Sequence, residues 1–166
     1  MIRVEDVNLA DVEVEGVMRA IRSDLSPANA SARDLLATAG TAVDERLESV
    51  GVLPLGGAVL TPGGDLPADF LIHVVVMSDD EPQTSATVRK ALRNGLRRAA
   101  DFSLQSIAIP PLGLGVGLTE PEEEARALVE LLVEHLGTGI PPSEITIAAT
   151  SDFELDLFAR LIKKYS

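Results

Sequence analysis

The chain contains no cysteine and no tryptophan, and it has one tyrosine and two histidines. Without cysteine there is no disulfide framework, no thiolate nucleophile and no Cys-ligated zinc. His73 and His135 are far apart and neither sits in a ligand pattern, so no metal site is expected. No apolar run reaches the roughly 18 residues of a membrane span. The opening "MIRVEDVNLADVEVEG" lacks the basic region, apolar stretch and small-residue cleavage site of a secretory signal. A soluble, cytoplasmic protein with no membrane association is the expectation. Positive charge is also scarce. Fourteen Lys and Arg against 26 Asp and Glu give a formal charge of −12, which disfavours nucleic acid and anionic lipid as partners. A small anionic nucleotide stays admissible, because local backbone dipoles act at close range while a distant net charge is screened. There is no Ser-His-Asp order, P-loop, metal-binding helix motif, internal repeat or low-complexity block, and no cofactor is implied.

What is present reads as one globular domain over residues 1–166: 46% of the chain is hydrophobic and 24% charged. Residues 2–7 and 14–21 have the short β-branched character of strands, and "SDLSPANAS" at 23–31 supplies breakers and caps. Leu35, Leu36, Ala39, Val43, Leu47 and Val50 fall at helical spacing, which predicts an amphipathic helix over 32–50, interrupted at Gly40. Strands follow at 57–61 and 70–77, the latter reading "FLIHVVVM" without alternation, as expected where both faces are covered. A helix at 85–100, a short strand at 106–110, a helix at 119–136, a strand at 144–150 and a final helix from 152 complete the order. Thr119 with Glu122, and Ser151 with Glu154, have capping-box spacing ahead of the last two helices. Strands alternating with helices predict an α/β domain with a largely parallel sheet and helices on both faces.

Ligands of such sheets sit beyond the carboxyl ends of the strands. The segment "SIAIPPLGLGVGLTEPEEEA" places Gly113, Gly115 and Gly117 at such an end. Glycines there permit a nest of converging N–H groups that cradles an anion, or simply a tight strand-to-helix turn. The glutamates that follow suit the positive end of a helix dipole and leave both readings open. Arg19 and Arg22, near the end of the second strand, can grip phosphate or pair with one of the many acids.

The stretch from Leu55 to Val76 carries Gly56, Ala58, Thr61, Gly63, Leu66, Pro67, Ile72 and His73 in the pattern G-x-A-x-x-T-x-G-x-x-L-P followed by I-H. Together with the helix and glycine loop after it, this stretch resembles the macro domain, an ADP-ribose-binding module. The resemblance covers most of the chain and implies a three-layer α/β/α fold with a mixed, largely parallel central sheet. It implies a ligand cleft with two phosphate-cradling loops. Loop two corresponds here to Gly113, Leu114, Gly115, Val116 and Gly117, whose backbone can donate. The family's first loop, N-A-A-N and then a glycine-rich run, aligns with Arg19, Ala20, Ile21, Arg22 and a segment with no glycine. The family's adenine-reading Asp near the end of the first strand aligns with Asn8, with Asp11 nearby as a substitute, and its adenine-stacking ring falls on Thr150, leaving Phe153 as the nearest aromatic.

The ligand-binding residues expected are therefore Asn8, Asp11, Arg19, Arg22 and the 113–117 loop, for ADP-ribose or a related nucleotide. An alternative is a cleft filled by Leu114, Leu118 and the 23–31 segment, in a domain kept for homo-oligomer formation or contact with a protein partner. ADP-ribosyl hydrolysis depends, in the family, on the asparagine and glycine loop that this sequence lacks. No catalytic residue is assigned. Asp24 and Asp34 lie near that loop, where capping or solvation accounts for them, and His73 reads as a hydrogen-bonded core histidine.

Overall fold

The computed structural model describes residues 1–166. Six strands form one sheet: β1 (Ile2–Asp6), β2 (Gly16–Arg22), β3 (Ala58–Pro62), β4 (Phe70–Met77), β5 (Ser106–Ile109) and β6 (Glu144–Ala149), in the order β1-β6-β5-β2-β4-β3. All neighbours pair in parallel except the edge strand β3, which runs antiparallel to β4. The mixed, largely parallel sheet and the three-layer α/β/α architecture are therefore as the resemblance implies. No helix is long and apolar enough to cross a membrane.

Five helices cover the sheet: α1 (Ala30–Ala39), α2 (Thr41–Val50), α3 (Ser85–Asp101), α4 (Pro121–Gly137) and α5 (Asp152–Tyr165). The pleat sends Met18 and Ala20 of β2, Ile72 and Val74 of β4, and Ile145 and Ile147 of β6 to a core shared with α3, α4 and α5. Val17, Ile21, Leu71 and Val75 point the other way, into a smaller core under α1 and α2. β4 is buried on both faces, which is why its sequence shows no alternation. The helix expected over 32–50 is two helices. Gly40, with φ of 96°, ends α1 and starts α2.

Two capping details differ from the sequence pattern. α4 starts at Pro121, whose fixed φ suits the first helical position, so Glu120 is its N-cap and makes no side-chain cap bond. Thr119 lies one residue too early for a capping box with Glu122, and its hydroxyl instead donates to Glu124 Oε1 at 2.6 Å. At α5, Ser151 accepts from the Glu154 N–H at 3.2 Å as expected, but the Glu154 carboxylate turns to the Thr150 N–H and hydroxyl rather than to Ser151.

Candidate functional site

β5 pairs with β2 only at Gly16 and Val17, because β5 gives way after Ile109 to Pro110 and Pro111, which have no N–H to offer a ladder. β2 continues to Arg22 with that edge free. The segment after β2 folds back onto the vacated edge. Arg22 N–H donates to Ser26 O at 2.8 Å, Ala28 N–H donates to Ala20 O at 3.1 Å, and Ile21 bridges Pro27. The turn is closed by Asp24, whose carboxylate accepts from the Ser26 N–H at 3.0 Å and hydroxyl at 2.5 Å, and these bonds hold its pKa below the usual value. A segment without glycine thus delivers Asn29 to the N-terminus of α1, where Asn29 Oδ1 accepts from Ala32 N–H at 2.8 Å.

The result is an open cleft of about 600 Å³ across the carboxyl ends of the parallel strands. At one end it is lined by Asp6, Asn8, Thr150 and Glu154, at the ends of β1 and β6; in the middle by Pro110, Gly113, Leu114 and Val116; and at the far end by Asn29, Ser31 and Asp34. Ala20, Val76 and Ala148 are among the apolar lining. Asp6, Asp34 and Glu154 are the charged side chains of the lining, and no lysine or arginine is among it.

Gly113 reaches a φ of 89°, and a Cβ there would lie 2.8 Å from Glu124 Oε2. This carboxylate is buried, accepts from the Ser85 and Thr119 hydroxyls, and so fastens the loop to α3 and α4. The N–H groups of Gly113, Gly115, Val116 and Gly117 have no acceptor within the chain, whereas Leu114 N–H donates to Pro111 O at 3.2 Å. Of these five residues, Gly113, Leu114 and Val116 line the cleft, and Gly115 and Gly117 do not. The filled cleft expected from Leu114, Leu118 and the 23–31 segment is not what forms.

The other expected site residues separate. Asn8 lines the cleft, but Asp11 belongs to a neighbouring polar depression with Arg3 and Glu144. Arg22 pairs with Asp79 and does not line the cleft. Arg19 is wholly buried, because its position in β2 points into the α1 side of the sheet. Its Nε donates to Ala32 O at 3.2 Å, and its Nη1 donates to His73 Nδ1 at 2.8 Å on the adjacent strand. An acceptor Nδ1 leaves Nε2 as the protonated nitrogen, which donates to Thr61 Oγ1 at 2.8 Å, and the Thr61 hydroxyl donates in turn to Pro62 O at 3.1 Å. Burial, and next the Arg19 charge, push the His73 pKa down to about 3, while burial brings Arg19 to about 10 against the attraction of Asp44. His73 is the neutral core histidine that the sequence suggests. Arg19 Nη2 has no partner.

Sequence reasoning missed Asp6, Asn29 and Ser31 as cleft residues. The signal for Asp6 was the strand boundary: β1 stops at Asp6, so the acid at the end of the first strand is Asp6 itself, not a position two or five residues later. Asn29 was visible only as a cap. Thr150 lines the cleft, whereas Phe153, 60% exposed, does not.

An α/β/α domain with a mixed sheet and an open cleft at its parallel strand ends belongs to a recognisable class. The Macro domain family matches residues 19–128, and the chain belongs to that family. It is 32% identical over 120 residues to an uncharacterised protein of Aeropyrum pernix, covering 72% of this chain and 64% of the relative. It is 31% identical over 121 residues to a Klebsiella pneumoniae protein named O-acetyl-ADP-ribose deacetylase, covering 72% of this chain and 69% of that one. The match spans only 37% of the length of a Mycobacterium tuberculosis relative. Among solved structures, the Oceanobacillus iheyensis macrodomain with ADP superposes with a TM-score of 0.83 at 18% identity, covering 97% of this chain and 89% of that one, and this establishes the fold alone.

Proposed function

We propose that the cleft binds ADP-ribose or a related adenine nucleotide, without hydrolysing it. The observation that carries this reading is the open cleft flanked by the 113–117 loop, in which the unpaired N–H groups of Gly113 and Val116 belong to cleft-lining residues and supply donors that need no net positive charge. A macrodomain of the same fold has been solved with ADP, and two bacterial relatives are named for an ADP-ribose ester. In this reading Asp6 and Asn8 take the base, the loop takes the diphosphate, and the end at α1 takes what lies beyond it. Arg19 occupies the position at which the family's asparagine is expected and is committed to the core, so the side chain that the family uses there is missing from the cleft.

Calorimetric titration of ADP-ribose into the protein, with ADP and AMP as comparators, is expected to show micromolar binding, about −8 kcal/mol. Absence of heat and of any thermal shift would remove the reading. Asp6→Ala is expected to weaken all three nucleotides roughly tenfold, the value of a hydrogen bond to a charged group, because each carries the same base. Asp11→Ala should leave them unchanged, since Asp11 lies outside the cleft. The opposite ranking would return the base to the other side of Asn8.

A further inference from the structure

α3 carries five of the chain's fourteen cations, Arg89, Lys90, Arg93, Arg97 and Arg98, and one of its 26 acids, Asp101. It is the one helix of net positive charge, the other four being neutral or acidic. Its apolar side is accounted for: Val88, Ala91, Leu92, Leu96 and Ala99 recur at helical spacing and are buried in the core. That packing leaves Lys90, Arg93, Arg97 and Arg98 exposed and Arg89 half-buried. Arg89, Arg93 and Arg97 stand four residues apart, in a single row about 12 Å long with Lys90 beside it.

Arg98 is answered by Asp101 at 3.1 Å. The other four cations form no ion pair, although Glu123, Glu130 and Glu134 are exposed on the neighbouring α4. Arg3, Arg22, Arg33 and Arg160 each find a carboxylate. Like charges four residues apart repel one another and weaken a helix, and nothing in the chain offsets them here. Such a local rule is broken most often where a surface serves something outside the molecule.

The charge of the whole chain selects the kind of anion. A nucleic acid would carry its phosphates past the row onto a protein whose formal charge is −12, whereas a short acidic segment can stay on the cations. A helical segment also has the right period, since carboxylates at i, i+4 and i+8 repeat every 6 Å or so, roughly the spacing of the arginines. We propose that the exposed row of α3 docks an acidic helical segment of a protein partner, with Arg89, Arg93 and Arg97 each taking a carboxylate and Lys90 supporting them from the side. None of these four residues lines the cleft, so the surface stands apart from the nucleotide reading.

Fluorescence anisotropy tests it with a labelled alanine-based helical peptide that carries glutamate at every fourth position. The comparators are the same peptide with lysine in those places and a short single-stranded DNA. The glutamate peptide is expected to bind at least tenfold more tightly than either, and to lose at least tenfold between about 50 and about 300 mM salt. Arg93→Gln with Arg97→Gln is expected to weaken it at least tenfold while raising the melting temperature, because a repulsive pair is gone. Lys163→Gln with Lys164→Gln removes the same charge from the exposed end of α5 and is expected to leave the affinity unchanged. A glutamate peptide that binds no better than the lysine peptide, or that weakens equally with the α5 pair, overturns the surface. DNA that binds more tightly than the glutamate peptide overturns the class of partner.

Discussion

Lowering the pH from 7 to 5 is expected to cost the folded protein about 2 kcal/mol through His73 alone. His73 is fully buried, accepts a hydrogen bond from Arg19 at Nδ1, and has its pKa depressed to about 3 by burial and by the adjacent guanidinium. In the unfolded chain the same imidazole titrates near 6.5. Between those two values the unfolded state holds a proton that the folded state refuses, so stability rises with pH through this window and falls on acidification. Urea melts at pH 7, 6 and 5 read the slope. In His73→Gln the side-chain carbonyl can still accept from Arg19 and the amide can still donate to Thr61, with no group to titrate. Its melts are expected to be nearly level over the same range, and a slope equal to that of the parent chain would show that His73 is not the source.

Gly64→Ala is expected to destabilise the domain by more than about 3 kcal/mol, the range in which a clash adds to an unfavourable backbone conformation. Gly64 has φ of 61°, and a Cβ there would lie 2.2 Å from Ala39 O, the carbonyl that accepts from Asp65 N–H at 2.9 Å. The turn between β3 and β4 is thereby pinned to the last residue of α1, and the neighbouring Val43 side chain would be only 3.0 Å away. Backbone atoms on both sides cannot yield as the end of a flexible side chain does. Gly139→Ala supplies the comparison. Its φ of 72° is similar but its Cβ would meet nothing within 4 Å, so the cost should be near the 1–2 kcal/mol of the left-handed conformation alone. Equal losses in the two variants would mean that packing against α1 adds nothing.

The same turn gives part of the family pattern a physical reason, through Gly63. Gly63 and Gly64 sit where the β3–β4 turn approaches other backbone; at Gly63 a Cβ would fall 2.1 Å from Ala68 O. Thr61 and His73, matched as sequence letters, are partners in one hydrogen-bond chain that starts at Arg19 and ends at Pro62 O. Part of a pattern recognisable in the linear sequence is in this case a set of residues that tie the sheet and the β3–β4 turn together, while Ile72 and Ala58 pack on the α3 face. It says little about the ligand, because most of it points away from the cleft.

The sequence by itself determined the order of elements and the class of fold, because apolar periodicity, breakers and glycines act over a few neighbouring residues. The limits of α3, β4 and β5 follow that local information to within a residue or so. Tertiary structure alone decided the site. Whether Arg19 meets solvent or core depends on the pleat of β2 and on His73 across the strand, and Arg22 is diverted by Asp79. Asn29 enters the cleft because β5 stops early and leaves an edge of β2 for the returning segment to fill. Each outcome depends on which chain segments lie side by side, and that depends on sheet order and register, which no run of neighbouring residues encodes.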